Sequence, residues 1–476
     1  MSLRIAREEW RQWMRSRLAV ISLIVFAVLL IFTTCLTLLE AQDARHDRLH
    51  QQEQSEETFL SQPDRHPHRM VHYGHYVFRA PPPLALFDPG VDAVTGQSLF
   101  LEGHRQNSAM FADARAEART GGFGALSPAK IFHLFLPLLI IALGHAVILR
   151  EREARTLAPL LSQGVSGPQL YRGKLTALAL LIVLLSLPAL FSSIAASFYG
   201  ESLLTGLTLY FGHLIYLFIW AALALLVSIV TRSRGLALGV LLAAWVLTVL
   251  VVPRIGVTSA SSALPTQGKI ITDMYMNEDL RKLGDGHNAA DPAFAKLKAN
   301  LLAQYDVDTV EELPVNFRGV VASKNETDLT ETLNEYAEKR MQREQAQAGH
   351  LSTFGWLSPY IAISGTSRNL AGTDLSTHHR FLREAEALRY EFVQGLNKAH
   401  VEKLSYADDI NRNKGEEGWR RARVDAQNWQ VLQDFRFLPD PPKQRLSRAL
   451  NGFLPLSLWL IGLLGIGLFA SRKLSP

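Results

Sequence analysis

Six apolar runs, each of about 20 residues, interrupt an otherwise polar chain. They cover residues 18–39, 130–149, 175–198, 207–231, 235–253 and 449–470. A helix needs about 20 apolar residues to cross a hydrocarbon core of roughly 30 Å, so each run predicts a transmembrane helix. The first run is longer than the roughly 7–15 residues of a signal-peptide core, which favours an uncleaved anchor over a cleaved leader.

Two long polar segments, 40–129 and 254–448, separate the apolar runs. In the second segment, apolar residues recur at helical spacing in 327–350 and again in 376–405. A Gly- and Pro-containing stretch, 355–365, lies between them and predicts a packed helical hairpin outside the membrane. The pattern as a whole predicts an all-α polytopic membrane protein, with six transmembrane helices and a mainly helical external domain.

Basic residues are concentrated in the short segments on one side of the predicted spans. They are Arg4, Arg7, Arg11, Arg15, Arg17, Arg150, Arg152, Arg155, Arg172, Lys174, Arg232, Arg234, Arg472 and Lys473. The short segment 199–206 on the other side has no Lys or Arg. By the positive-inside rule, both termini are cytoplasmic and the two long polar segments are external. Topology accounts for this clustering, so the net charge of +5 does not predict a nucleic-acid partner.

The predicted organisation can be given in chain order. It comprises a cytoplasmic interfacial helix (1–17), span one (18–39), an external loop region (40–129), span two (130–149), a cytoplasmic loop (150–174), spans three to five (175–253), an external helical domain (254–448), and span six with a cytoplasmic tail (449–476).

The sequence lacks the common catalytic motifs. It contains no G-x-x-x-x-G-K-[ST] phosphate loop, no H-E-x-x-H and no G-x-S-x-G, so we predict no catalytic residue and no cofactor in this chain. The single cysteine, Cys35, excludes an intrachain disulfide. A secondary transporter would place paired ionisable groups in mid-span, whereas these runs offer only histidines near their ends, His133, His145 and His213.

Four histidines occur close together at His66, His68, His72 and His75. Imidazoles suit copper, zinc or nickel, which makes these residues weak candidates for metal ligands. Their spacing matches no established metal motif, and no cysteine or compact set of carboxylates joins them. The sequence therefore favours a surface loop with some aromatic packing, and metal binding stays an alternative.

The N-terminal segment is amphipathic at helical spacing. Its apolar stripe consists of Leu3, Ala6, Trp10, Trp13 and Met14, and Arg7 and Arg11 are among the charged residues on the opposite face. Such a helix lies in the membrane interface with its tryptophans at headgroup level, so lipid is a predicted partner. A plain basic leader is the alternative.

The loop 150–174 has a pattern of its own. It predicts a short helix over 151–162, with Glu151 and Glu153 in the first turn and Thr156, Leu157, Leu160 and Leu161 after them, and glycines and a proline then end the helix. The three leucines fall at i, i+3 and i+4 and so share one face of a helix. A helix of this kind is suited to docking in a groove of a cytosolic partner, although a mere connector would also satisfy the topology.

The same loop resembles the coupling-helix segment of type-2 ABC export permeases. Their pattern E-x-x-x-G-T-L-x-x-L-L, a following turn and a G-K pair are matched by Glu151, Thr156, Leu157, Leu160, Leu161, Val165, Ser166, Gly173 and Lys174. Arg155 replaces the usual glycine, and Gly164 stands where proline is common. The external stretches 72–91, 314–319 and 357–390 resemble a subgroup with a large external insertion of unknown function before the last span.

The resemblance implies a permease subunit of an ABC transporter in the bacterial inner membrane. ATP and Mg²⁺ would be bound by a separate ATPase subunit, docked on Glu151, Glu153, Thr156, Leu157, Leu160 and Leu161. A second permease subunit, identical or from a sister gene, would complete the dimer. Two alternatives stay open: a mechanical transmitter that relays ATPase motion to a periplasmic partner, and a metal-handling membrane protein that uses the histidines.

Overall fold

Six long helices account for the six predicted spans. A computed structural model of the protein describes residues 1–110 and 126–474. In these ranges, the helices that are long and apolar enough to cross a bilayer are Arg17–Leu60, Pro128–Glu153, Gly167–Ser197, Leu203–Val230, Arg234–Ala263 and Pro442–Ser471. Each contains most or all of one predicted run, and this confirms the prediction of an all-α polytopic membrane protein.

The six spans are packed unequally. Most of the second and fourth spans and half of the third are buried, and together they form the centre of the bundle. In the first, fifth and sixth spans, no more than 22% of the apolar stretch is buried. Such exposure is expected of helices that face lipid or a further membrane subunit, because lipid tails are as apolar as the side chains.

Three spans contain local irregularities. The second begins with a wide π-helical turn at Ile131–Phe135, and the fifth contains another at Val246–Val251. The third is interrupted at Ser186, two residues before Pro188, which has no amide hydrogen to continue the helical pattern. Irregular backbone of this kind is tolerated at membrane depth where neighbouring helices satisfy the freed groups.

Two spans run on into the extramembrane domain. The first span helix was predicted to end at residue 39, but it continues without a break to Leu60, and Phe59 near its end is fully buried in the domain core. The fifth extends past residue 253 to Ala263, where Ser259 Oγ lies 2.9 Å from His350 Nε2. These extensions are polar, so hydropathy marks where the bilayer ends but not where the helices end.

The extramembrane domain is mainly helical. Its helices are Pro67–Tyr73, Asp92–Thr95, Lys269–Arg281, Ala295–Tyr305, Phe317–Thr353, Pro359–Ala371, Leu375–Lys403, Tyr406–Ile410 and Gly415–Arg421. Single 3₁₀ turns occur at Pro83–Leu86, Pro292–Phe294, Val310–Glu312, Phe354–Trp356 and Ala426–Val431. Strands His75–Phe78 and Ser98–Leu101 form an antiparallel hairpin with His75 opposite Leu101. Phe381, Phe392 and Trp429 are fully buried in the core that joins hairpin and helices.

The two predicted external helices do pack together, but their link is different from the prediction. Helix Phe317–Thr353 contacts helix Leu375–Lys403, and the stretch between them contains a third helix, Pro359–Ala371. Ser358 caps it, since its Oγ accepts a hydrogen bond from the Ile361 amide at 3.2 Å. The prediction of a simple two-helix hairpin was therefore wrong.

This third helix, which we call the wedge helix (Pro359–Ala371), packs against the fourth and sixth spans. Its residues Ile363 and Leu370 are buried in the same core as the spans. Periodicity did not reveal this role, because the wedge helix is only 13 residues long and its apolar residues are shared among several neighbours.

Gly452 allows the wedge helix to approach the sixth span. A Cβ at this position would lie 2.5 Å from the Ala362 carbonyl oxygen and would also collide with Thr366 Oγ1. We expect Gly452→Ala to lower the free energy of unfolding by about 1–3 kcal/mol, because a backbone oxygen cannot yield without moving a helix. Thermal unfolding in detergent measures this loss.

A matched control for this substitution lies in the same helix. Gly462 has no atom near the position of an added Cβ, so Gly462→Ala is expected to leave stability unchanged or slightly raised. Equal unfolding midpoints for the two variants would contradict close packing of the wedge helix.

Candidate functional sites

The N-terminal helix Ser2–Arg15 packs on the start of the third span. Ala6 and Trp13 are each 2% exposed, and the Trp10 indole donates a hydrogen bond to the Ala177 carbonyl at 3.2 Å. Trp13 therefore contacts protein, and the expected headgroup position was wrong for this residue. Two other members of the predicted apolar stripe, Leu3 and Met14, are exposed. Arg7 and Arg11 are exposed, as their place on the polar face predicts.

A buried ion network joins this helix to the loop 150–174. Glu9 is fully buried, and its carboxylate accepts hydrogen bonds from Lys174 Nζ at 2.6 Å and from Arg150. Lys174 is itself buried and contacts Glu151 Oε1 at 2.7 Å. The sequence reasoning missed Glu9, although it falls at helical spacing between Ala6 and Trp13, where a carboxylate interrupts the apolar stripe.

The loop 150–174 does not form one helix from 151 to 162. The second span helix continues to Glu153, and a separate helix runs over Leu157–Ser162. Between them, Arg155 has a φ of 56°, a left-handed conformation that costs a non-glycine residue roughly 1–2 kcal/mol. Type-2 permeases usually have glycine where this chain has Arg155. The left-handed backbone conformation at this position explains their preference for glycine.

The two acidic residues lie in a different place from the prediction. Glu151 and Glu153 end the second span helix, whereas the prediction placed them in the first turn of a docking helix. Glu151 accepts a hydrogen bond from Thr156 Oγ1 at 2.6 Å, and Glu153 forms an ion pair of 2.5 Å with Arg234. Their contacts within the chain fix the loop against the N-terminal helix and the fifth span.

The three leucines also differ from the prediction, because they do not share one exposed face. Leu157 is 2% exposed and belongs to the core of the bundle. Leu161 is partly buried against the same core, and Leu160 is half-buried. The exposed surface of the short helix consists instead of Pro159 and Ser162.

An open cavity of about 450 Å³ lies beside this short helix. Its lining combines the end of the N-terminal helix with the turn of the loop: Gln12, Arg15, Ser16, Arg150, Glu151, Ala154 and Thr156. Six of its seven lining residues carry polar or charged side chains, and together they offer contacts to a partner segment but no arrangement for covalent chemistry.

The four clustered histidines divide among three environments. His75 Nδ1 contacts Ser55 Oγ at 3.1 Å inside the domain. His66 Nε2 lies 3.2 Å from Asp409 Oδ1, and His400 Nε2 lies 2.7 Å from Asp409 Oδ2. Burial would raise the pKa of Asp409, but the hydrogen bonds with His400 and His66 hold it well below its usual range. The predicted set of four is therefore not one site.

His68 and His72 meet two histidines that the sequence reasoning did not consider. With His104 and His287 they form a group whose ligand nitrogens all lie within 4.8 Å of one another. Burial, and then the neighbouring imidazoles of His104 and His72, lower the pKa of His68 to about 2, so this ring is neutral at pH 7. No local spacing signals the group, because its members come from three separate segments of the chain. Imidazoles are ligands of transition metals, so rings at these distances make this group a candidate metal site.

Comparison with known families covers nearly the whole chain. Residues 3–301 match the model of the ABC-2 family transporter protein, and residues 271–438 match a domain of unknown function, DUF3526. No curated protein matches the chain. The first match spans more than half of the 476 residues, including the N-terminal helix, five spans and the loop 150–174. The resemblance noted in the sequence is thereby confirmed, and the chain belongs to the ABC-2 family of transporter membrane proteins.

Proposed function

We propose that this chain is the permease subunit of an ABC transporter whose ATP and Mg²⁺ are bound by a separate ATPase subunit. The match of residues 3–301 to the ABC-2 transporter family carries the proposal. The sequence has no phosphate loop, so the energy must come from a partner. The chain then contributes helices, contacts and motion, and no covalent step.

Packing at one end of the bundle supports the sidedness. The Glu9–Arg150 ion pair and the contact of Gly167 with the Ser471 carbonyl bring together the N-terminal helix, the loop 150–174 and the C-terminal tail. Arg152 also donates to the Thr231 carbonyl at 2.9 Å, which adds the turn after the fourth span. All four basic segments thus share one end, which we assign to the cytoplasm of a bacterial inner membrane.

We place the ATPase contact on the exposed face of helix Leu157–Ser162 and the adjacent cavity. Leu157 anchors that helix in the bundle, so a push on the exposed side is transmitted directly to the second and third spans. The Glu9–Lys174 ion pair carries the same displacement to the N-terminal helix and from there to the first span. A rigid, internally anchored loop is a suitable surface for receiving motion.

The docking surface can be tested with a double substitution, Pro159→Asp with Ser162→Asp. Two carboxylates on the exposed face should weaken the ATPase contact by at least about tenfold, the change that 1.4 kcal/mol produces. The chain is co-expressed with its ATPase subunit and purified in mild detergent. Copurified P-loop polypeptide, identified by mass spectrometry, and ATP hydrolysis per permease are then measured.

Ser197→Asp supplies the matched control. Ser162 Oγ donates to the carbonyl three residues earlier, and the half-buried Ser197 does the same at the opposite end of the bundle. Its substitution should leave ATPase recovery at the wild-type level. Full recovery of the ATPase subunit with the double variant would refute docking on this helix. Truncation of Leu157 is a poorer test, because that side chain is buried.

The first, fifth and sixth spans are little buried within this chain. This supports the proposal that a second permease subunit, identical or from a sister gene, packs against them. An apolar groove of about 610 Å³ lies between the first and third spans and is lined by Trp10, Leu30, Leu184 and Phe191 among others. In a membrane, lipid or a neighbouring helix fills such a groove. Crosslinking from a cysteine at the exposed Ile24 would show which subunit is adjacent.

One observation favours the mechanical alternative. The first and fifth span helices enter the extramembrane domain without interruption, so movement of either span moves that domain. In this mode, ATP drives a change in a periplasmic partner and nothing crosses the bilayer. Sealed vesicles separate the two modes: ATP-dependent substrate accumulation supports transport, and its absence with preserved ATPase activity supports the transmitter.

A further inference from the structure

Four imidazoles from three chain segments converge in the extramembrane domain. His68 and His72 lie one turn apart on helix Pro67–Tyr73, so they share a face. His104 follows strand Ser98–Leu101 and has a φ of 66°, which turns the chain back toward that helix. His287 lies in the turn before helix Ala295–Tyr305. We call these four residues the histidine cluster.

The spacing of the rings fits a tetrahedral metal site. The six distances between ring centroids range from 4.7 to 5.8 Å. With metal–nitrogen bonds of about 2.0–2.1 Å, a tetrahedron places its nitrogens roughly 3.3 Å apart and its ring centres roughly 5 Å apart. His68 Nε2 and His72 Nε2 are 3.2 Å apart. No pair of rings is too distant to share one ion.

Two rings have carboxylates on their other nitrogen. His104 Nδ1 lies 2.9 Å from Glu326 Oε2, and His287 Nδ1 lies 3.2 Å from Asp285 Oδ1. Carboxylates in this position fix a histidine with its Nε2 lone pair directed at a metal, and they are a regular feature of zinc sites. In the part of the chain that the structure describes, both ring nitrogens of His104 are buried without a hydrogen-bond partner, so Nδ1 meets Glu326 as a close polar contact and Nε2 is available to an ion.

The carboxylate behind His104 is itself held in place. Glu326 is fully buried and forms an ion pair with buried Arg389, which also donates to Thr330 Oγ1 at 2.7 Å. The arginine fixes the position of this carboxylate, and the carboxylate in turn orients the ring of His104.

The neighbouring group of His66, His400 and Asp409 is different, although its ligand atoms are equally close. Asp409 already accepts hydrogen bonds from Arg412 at 2.6 Å and from Asn316 at 3.2 Å. His66 Nδ1 accepts the His68 amide and so caps the helix. The carboxylate of Asp409 is therefore already engaged within the chain, and a cationic arginine lies beside it, so that group is a structural network.

We propose that the histidine cluster binds one divalent transition-metal ion of the zinc type. Four imidazoles without thiolates or free carboxylates select zinc, copper, nickel or cobalt over calcium and magnesium, and the tetrahedral spacing favours zinc among them. The site does not depend on the docking surface, which lies at the other end of the bundle. His72 and His287 are exposed, so an ion reaches the cluster from solvent.

Bound metal would link three segments that the chain leaves far apart. Helix Pro67–Tyr73 follows the first span helix, and the turn that carries His287 leads into helix Ala295–Tyr305. An ion bound to both would connect the part of the extramembrane domain that follows the first span helix with the part that follows the fifth. Occupancy of the site would therefore control how firmly these two parts move together.

The test uses the full chain, purified with a tag that contains no histidine and stripped with a chelator. Zn²⁺ is titrated against a chromophoric competitor, and bound metal is counted by mass spectrometry. We expect one Zn²⁺ per chain in the wild type, and roughly 100-fold weaker binding in His72→Gln with His287→Gln. Asp285→Asn, which removes a supporting carboxylate, should weaken binding by about tenfold. X-ray absorption should show four nitrogen ligands at about 2.0 Å.

Exposed histidines on the first span helix give a matched control. His46 and His50 have the same i, i+4 spacing as His68 and His72, and both are exposed. His46→Gln with His50→Gln should retain wild-type affinity. The proposal is overturned if the wild type binds no Zn²⁺, if His72→Gln with His287→Gln binds it as tightly as the wild type, or if Ca²⁺ or Mg²⁺ displaces the ion. Because His72 and His287 are exposed, circular dichroism is expected to show both variants folded.

Discussion

Glu9→Ala is expected to be among the most damaging single substitutions in this protein. It leaves the buried Lys174 with Glu151 as its remaining acidic contact, and it removes the carboxylate that pairs with Arg150. Removing one partner of a buried ion pair costs about 3–5 kcal/mol. We therefore expect a correspondingly lower free energy of unfolding in detergent, followed by intrinsic tryptophan fluorescence.

A control for Glu9 lies next to it in the same helix. Glu8 pairs with Arg11 at 3.0 Å, but both side chains are more than half exposed, and such surface pairs contribute little. Glu8→Ala should unfold like the wild type. Equal behaviour of Glu8→Ala and Glu9→Ala would show that the buried network does not hold the N-terminal helix on the third span.

Loss of the Glu201–Arg445 pair should have an effect of similar size at the other end of the bundle. Arg445 donates to both carboxylate oxygens of Glu201, at 3.0 and 2.9 Å, and also to the Leu370 carbonyl of the wedge helix. Both side chains are at most 3% exposed. Glu201→Ala would leave the guanidinium buried without a counter-charge, at a cost of about 3–5 kcal/mol. Thermal unfolding in detergent measures it.

A double variant distinguishes the charge from the packing. In Glu201→Leu with Arg445→Met, neither charge is left alone, and apolar replacements of buried pairs are often neutral. We expect this variant to recover most of the stability lost in Glu201→Ala. If Glu201→Ala unfolds at the wild-type temperature, the pair does not connect the wedge helix, the sixth span and the loop before the fourth span in the way that its contacts indicate.

The spans could be predicted from the sequence because the bilayer imposes a simple length rule. A helix such as Leu203–Val230 must present an unbroken apolar surface across about 30 Å, and that requirement is written in consecutive residues. The polar continuation of the first span to Leu60 follows no such rule. It is stabilised by contacts with the extramembrane domain, and contacts between distant segments leave no local pattern.

The candidate sites show the same limit. The three leucines at 157, 160 and 161 were placed together on a helix face, but periodicity does not say whether a face meets a partner or the protein's own core. Leu157 meets the core. For the histidine cluster, proximity in sequence selected His66 and His75, which have other partners, and missed His104 and His287. Only the folded chain brings these last two rings beside His68.

The unbroken helix Arg17–Leu60 acts as a lever arm. Its 44 residues span about 66 Å at 1.5 Å per residue, roughly twice the thickness of the hydrocarbon core. A tilt of about 5° at the membrane end would displace the far end by about 6 Å for that length. The far end carries Phe59 into the core of the extramembrane domain, next to the segment that bears His68. A small change in the tilt of the first span would therefore produce a displacement of several ångström in the extramembrane domain.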